Sequence, residues 1–412
     1  MQPSESSHGT TQLLTIFISV LLFIGSAIAQ TEKVLYSFQG GTDGTNPSTG
    51  LVADAAGNLF GTTTDGGSGS RACGGGCGVV FELKPSPGGG WTETVIYNFR
   101  GADGAAPAAG LVFDQVGNLY GTTLSGGKYH DGTVFQLTPF GGAWTETVLH
   151  TFNNKDGAYP EASLIFDQAG NLYGTTLFGG PTRGGTVFQL TLSGGVWTET
   201  VLHSFTGRND GIDPAASLIL DQNGALYGTT MAGNVFKLIP PAPGHTKWTL
   251  QSLYSFSGGP NGGPLSAGTL LAGKSGVLYG TQKYGGGPAN AGAVFQLTPP
   301  ANHGAWTETT IYRFAGGSDG LYPLAGVIAD GAGNLYGTTV GDAQTSHGTV
   351  FKLTPPAQQG GNWTKTTLHA FTGGNDGSGP SAGLIFGKGG VLYSTTAGGG
   401  SSGKGTVFEI VP

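Results

Sequence analysis

The side chains in this 412-residue chain that could do chemistry are mostly acids, and most of those recur with a period. Asp43, Asp103, Asp156, Asp210, Asp319 and Asp376 each open a D-G-x-x-P loop, and Asn261 stands at the place where a seventh is due. A ring of carboxylates would suit Ca²⁺, a hard cation that takes oxygen ligands. Each loop supplies one dependable acid, without the dense D-x-D-x-D spacing of a calcium loop. We therefore read these acids as turn formers first and as a calcium ring second. Glu161, Asp213 and Asp131 lie outside the pattern and are the candidates for the unlike pair of carboxyls that glycoside hydrolysis needs. His150, His203 and His369 alternate with Tyr36, Tyr97, Tyr254 and Tyr312 at one repeat position, which marks packing variants rather than ligands. Cys73 and Cys77, in C-G-G-G-C, are the two cysteines. A local disulfide is their leading reading in an exported protein. A loop this small constrains the unfolded chain by about 2 kcal/mol at most. Redox or zinc chemistry comes second, because no second Cys pair or suitably spaced His completes a site.

The elements that would position these residues are short, apolar and β-rich. The stretch from Ala109 to Phe152 shows the unit: runs like Leu111–Phe113, Leu119–Thr123, Thr133–Leu137 and Trp144–Phe152, separated by Gly, Asn, Asp and Pro. The runs alternate with period two or are briefly apolar, and nothing between them has helical periodicity. Between the first two runs, D-x-x-G-N (Asp54-Gly57-Asn58, Asp114-Gly117-Asn118, Asp167-Gly170-Asn171, Asp330-Gly333-Asn334) reads as a turn capped by Asp, with Gly or Asn at positive φ. Asp221 keeps the acid, whereas Gly273 and Gly387 replace it in two copies.

The last run ends on Phe38, Phe99, Phe152, Phe205, Phe256, Phe314 and Phe371, in steps of 51–61 residues. That period suits a four-stranded propeller blade. All six Trp (Trp91, Trp144, Trp197, Trp248, Trp306, Trp363) lie eight residues before these Phe, too evenly spread for a functional cluster. Each ring would bury about 150–250 Å², roughly 4–6 kcal/mol gross. The two ends are complementary. Thr31–Phe38 is a lone fourth strand, and Gly405–Pro412 is a third strand with no fourth after it. A closed ring gains from that offset and an open stack does not, so the expectation is all-β: a seven-bladed β-propeller closed three-plus-one over residues 30–412.

Residues 1–29 differ. Leu13–Ile24 is nearly all apolar and leads to Ala27 and Ala29 in an A-x-A cleavage site, which reads as a secretory signal peptide. Its n-region lacks Lys and Arg, and an uncleaved N-terminal anchor is the alternative. No later run is long and apolar enough to span a bilayer, so the body is expected outside the cytoplasm, with no transmembrane portion. Glycine numbers 80 residues, but 22 Phe, 14 Tyr and 6 Trp argue for a packed, turn-rich β protein rather than low complexity. Net charge is −7, with 17 Lys plus Arg and no basic run, which argues against nucleic acid and anionic membranes as partners. Asn362-Trp363-Thr364 fits a glycosylation acceptor, but it follows from the repeat and matters only in a eukaryotic secretory route.

The combination D-x-x-G-N-L-Y-G-T-T, G-T-V-F-x-L-T-P and W-T-E-T resembles the GloVer tandem repeat over residues 30–412. That family comprises bacterial surface or secreted proteins described as choice-of-anchor tandem-repeat proteins. The resemblance implies an exported repeat protein and no established catalytic activity. Members often carry a C-terminal sorting segment, whereas this chain stops on its last strand, so release rather than anchoring is the expectation.

Propeller topology would group the loops after the second and fourth strands on one face. The second-strand loops vary most between copies and carry Lys128, Tyr129, His130, Asp131, Arg183, Lys283, Tyr284, Asp342, His347 and Lys404. Loops on a rigid scaffold are where recognition usually resides, so this is the candidate binding face, with freely varying solvated loops as the alternative. Near-equivalent blades, few charges and no asymmetric acid–base pair favour a monomeric, non-catalytic binding or scaffolding protein without cofactor or metal, recognising a protein or a glycan. The rival is an extracellular glycoside hydrolase or lyase with its site at the channel mouth, and a third possibility is a purely structural envelope protein.

Overall fold

The computed structural model describes residues 31–68, 73–256, 268–302, 304–358 and 360–412. The expected leader at 1–29 and Asn261 lie outside them. The described residues form seven four-stranded antiparallel sheets, the blades of a seven-bladed β-propeller. Blade two is typical, with strands Val112–Phe113, Leu119–Thr123, Thr133–Phe140 and Ala143–Thr151 in sequential order. Its second strand is buried at every position, while the fourth alternates exposed and half-buried residues, as an outer strand with one wet face should.

The ring closes as the offset ends require. Thr31–Ser37 pairs antiparallel with Thr406–Val411 and completes blade seven, so no strand edge is left open at the seam. Lys33 Nζ lies 3.3 Å from Glu409 across that pairing.

Phenylalanine holds neighbouring blades together. The Phe after each fourth strand is buried and meets the third-strand Phe of the next blade. Phe38–Phe81, Phe99–Phe135, Phe152–Phe188 and Phe371–Phe408 all have ring centroids 5.1 Å apart, edge to face. The glycine of L-Y-G-T-T makes room for this layer: a Cβ on Gly121 would stand 2.6 Å from Phe135 Cζ. The threonine that follows reaches across the boundary, as Thr122 Oγ1 donates to the Pro160 carbonyl at 3.1 Å and Thr395 Oγ1 to Thr49 at 3.1 Å. A buried hydroxyl is thus satisfied by the next blade's backbone.

The tryptophans contribute less than their size suggests. All six are half-buried, not fully covered. Trp144 packs on Phe60 of the preceding blade at 6.1 Å and Trp197 on Tyr120 at 6.3 Å, so each seals one side of a blade boundary and leaves the other wet. The full-burial figure above is therefore an overestimate.

The D-x-x-G-N turn is built as expected. Asp54 Oδ1 accepts from the Gly57 and Asn58 amides at 2.8 and 2.9 Å, and Gly57 has φ +95°. Where Gly387 replaces Asp, the Tyr393 ring fills the place, 2.2 Å from where a Cβ would stand.

One feature has no signal in the alternation. Pairing of the third and fourth strands slips by a residue at the Val–Phe step, as at Val134/Phe135 opposite His150 and Val148. This β-bulge leaves Leu149 unpaired and re-aims the end of the fourth strand. Among the described residues, no helix is long and apolar enough to cross a membrane.

Candidate functional site

The second-strand and fourth-strand loops do share one face, because they bridge each other. Ala105 pairs with Ser125 and Ala158 with Phe178. The second-strand loops in blades two, three and five make the same tight turn. His130, Arg183 and Asn290 have φ +67°, +61° and +50°, and their amides bond to the carbonyls of Gly127, Gly180 and Gly287. Their backbones are alike while their side chains differ, which is how a fixed frame presents variable groups.

The loops of blades one and two enclose a groove of about 900 Å³ on this face. Arg100, Lys128 and His130 line it, together with Cys73, and the described lining contains no acid. Cys73 and Cys77 form the disulfide, with Cα atoms 5.3 Å apart, so the bridge braces one wall. Lys128 Nζ sits 5.0 Å from the Tyr129 ring centroid, and Tyr129 as a residue is 47% exposed. Arg100 was not among the candidates read from the sequence. It follows Phe99 directly, in a fourth-strand loop, whereas the candidates came from the more variable second-strand loops.

The other face residues do not join them. Asp131 is half-buried, and its carbonyl accepts from the Tyr159 amide of the next blade. Arg183 stands exposed on blade three. Lys283 covers Tyr284 at 5.0 Å, and Tyr284 meets Tyr322 edge-on at 5.2 Å. His347 is tucked against Gly373 with Nδ1 3.2 Å from Ser378 Oγ, and Lys404 lays its stem along Gly40 at the seam. Asp342 caps its own loop by accepting from the Thr345 amide at 2.7 Å.

All seven repeats line a second cavity of about 410 Å³, the central channel, with Ser, Thr, Gly, Ala and one Leu. Glu161 is the one titratable group among its described lining residues, and burial raises its carboxyl above the ordinary value. Asp213 and Asp131 are not in that lining, so the three unpatterned acids do not converge.

The periodic acids meet elsewhere, at the junctions between blades. Asp43, Asp103 and Asp319 accept from the Tyr36, Tyr97 and Tyr312 hydroxyls at 3.0, 2.7 and 2.7 Å. His203 and His369 take the same place against Asp210 and Asp376, each at 3.2 Å. Each of these acids also accepts from a backbone amide just after the terminal Phe, such as Arg100 N to Asp103 at 2.8 Å. The Tyr/His position is thus more than packing, since it clasps the loop that leads into the next blade. These carboxylates are spent in clasps and do not form a shared ring of ligands. Opposite each clasp stands the fourth-strand residue of W-T-E-T from the next blade. This is Glu93, Glu146 or Glu199 at three junctions, facing Asp43, Asp103 and Asp156, and at the seam Glu32, in the equivalent place of Gln30-Thr31-Glu32-Lys33, faces Asp376.

The profile of the Gloeobacter/Verrucomicrobia repeat matches residues 70–287 and again 232–412. The chain belongs to that family. No curated protein matches it in sequence. Solved structures share its fold at low identity. They include a fungal alcohol oxidase in complex with copper (TM-score 0.58, 13% identity, 93% of this chain and 76% of that one). They include the extracellular domain of a protein described as a hybrid two-component system from B. thetaiotaomicron (0.54, 14%, 93% and 41%). An ancestral GH74 enzyme is a third (0.53, 13%, 93% and 51%). The chain thus spans less than half of the two-component system chain. At such identities these likenesses show the fold alone.

In this Gloeobacter/Verrucomicrobia repeat protein, the junctions hold the acid pairs of unlike environment that its sequence did not disclose. Burial, reinforced by the facing Asp, raises Glu32, Glu93 and Glu146 to about 7. Glu199 also reaches about 7 through burial, although the His150 imidazole pulls the other way. Burial works to raise Asp156, Asp210 and Asp376 as well, but their hydrogen bonds hold them below the ordinary value. Such a split is what acid–base catalysis uses. Here it recurs around the outer rim, away from the channel, so it reads as part of the scaffold. The usable signal was the Glu of W-T-E-T itself, an acid repeated beside a boundary tryptophan.

Proposed function

We propose that this chain is an exported, non-catalytic propeller that binds an acidic glycan on the face of its second-strand loops. The observation that carries this reading is the groove of about 900 Å³ with three basic side chains and no described acid, on a protein whose net charge is −7. Guanidinium and ammonium groups recognise carboxylate or sulfate, and an exposed ring such as Tyr129 offers a face for a sugar. In the same reading residues 1–29 are a cleaved signal peptide, and the secreted body works as a monomer.

The test is binding of purified protein to uronic-acid and sulfated polysaccharides. Arg100→Ala with Lys128→Ala should weaken binding at least tenfold, without product release. Binding that survives both substitutions, or binding restricted to protein partners, overturns the reading. A second reading rests on Glu161, an acid set where the other repeats carry small or apolar residues in the channel. It makes the chain a carbohydrate-active enzyme, in keeping with the GH74 neighbour. It predicts polysaccharide cleavage abolished by Glu161→Gln.

A further inference from the structure

We infer that His150, Asp156 and Glu199 form a binding site for a divalent transition-metal ion, with zinc(II) as the probe, at the junction of blades two and three. The inference is independent of the glycan reading, since the site lies on the rim and shares no residue with the groove.

One donor atom from each residue lies within 4.8 Å of the other two. His150 Nε2 and Asp156 Oδ2 are 3.3 Å apart. Two ligands each 2.0–2.1 Å from a tetrahedral zinc stand roughly 3.3–3.4 Å apart, so this pair is already at coordination spacing. Glu199 must close in by up to about 1.5 Å, a small rotation for a long side chain. The approach of His150 to Asp156, at 3.3 Å, is slightly longer than the 3.2 Å contacts that His203 and His369 make with Asp210 and Asp376. His150 Nε2 and Glu199 Oε1 are both closed off from solvent without a hydrogen-bond partner. Orphaned polar atoms that converge on one point call for a group between them. Asp156 is held ready: the Asn153 side-chain amide donates to Oδ2 at 2.8 Å and its backbone amide to Oδ1 at 3.0 Å. Bonds of this kind orient metal ligands. One imidazole and two carboxylates leave a fourth position for water, a donor set that suits zinc and its neighbours.

The other repeats act as internal controls. Blades one and five put Tyr97 and Tyr312 at the His150 position. Blade three keeps His203 and Asp210 but faces Leu250, and there the imidazole makes its hydrogen bond to Asp210 at 3.2 Å. At the junction of blades five and six, Lys365 Nζ lies 3.0 Å from Asp319 and supplies a positive charge directly. The cation would do at blades two and three what that lysine does there. His369, Asp376 and Glu32 repeat the donor types at the junction of blades six and seven, so the diagnostic quantity is the equivalent that depends on Glu199.

The experiment is equilibrium dialysis of tag-free protein against zinc(II), with cobalt(II) absorption as a spectroscopic probe. Wild type should bind zinc with a rise in Tm, and cobalt should show ligand-field bands of low-symmetry coordination. Glu199→Gln and His150→Tyr should each weaken one equivalent at least tenfold and abolish its share of the Tm rise. His203→Tyr should change neither. Near-UV circular dichroism in EDTA checks that the variants are folded, and His150→Tyr installs a residue the fold already carries at this position. No zinc bound, or an unchanged equivalent in Glu199→Gln, overturns the assignment.

Discussion

The junction of blades one and two and that of blades five and six are built from the same repeat position but carry opposite charge. At both, a tyrosine hydroxyl donates to the loop aspartate at 2.7 Å. At the first, Glu146 faces Asp103, its Oε1 has no hydrogen-bond partner, and burial raises it to about 7. At the second, Lys365 is 5% exposed and donates to Asp319 at 3.0 Å and to Thr367 Oγ1 at 2.9 Å. The clasp between tyrosine and aspartate therefore closes the loop by itself. The facing residue sets how the junction answers to pH.

The comparison predicts its largest effect in the pH dependence of the whole chain. Glu32, Glu93, Glu146 and Glu199 have folded values of about 7 against an ordinary 4.5. Between those values the folded state keeps protons that the unfolded chain has released. Their contribution is present below pH 4.5 and lost as pH rises through about 7. With solvent screening, each is worth about 1 kcal/mol, or about 4 kcal/mol together. The lowered aspartates act in the opposite direction, losing stability as pH falls below 3.8. Urea unfolding should therefore show a maximum near pH 4, between the ordinary aspartate value of 3.8 and the ordinary glutamate value of 4.5. The fourfold Glu→Gln variant should lose the decline toward pH 8. A wild-type profile that is flat from pH 5 to 8 would break the comparison.

Lys365→Glu should come next. It removes a buried cation and makes another acid pair, costing about 3 kcal/mol at pH 8 and clearly less at pH 5. An equal loss at both pH values would mean that Lys365 acts through packing alone. The smallest effect is the reverse exchange. Glu146→Lys should gain about 1 kcal/mol at pH 8, measured in the same way, and little at pH 5.

How much was legible varies by residue. The seven Phe and the D-x-x-G-N turns were readable because each expresses a local rule of burial or backbone conformation repeated seven-fold or nearly so. The offset ends at Thr31–Phe38 and Gly405–Pro412 were readable because an unpaired strand at each end has one economical solution. The role of His150 was not. Period-two alternation treats it as one more interior position, but the bulge at Val134/Phe135 re-aims it toward Asp156. Glu146 was hidden in plain view, since an acid on an outer strand reads as a solvated side chain until the neighbouring blade covers it.

The repeat length, strand order and closure of this propeller were determined by the sequence itself, because turns, burial and alternation act over a few residues and then recur. Tertiary structure alone decided which side chains meet. Glu199 reaches Asp156 from 43 positions away in the chain, and Arg100 faces Lys128 across a blade boundary. Such encounters depend on how adjacent sheets stack and where a bulge turns a strand, and neither leaves a mark in the spacing of residues along one blade.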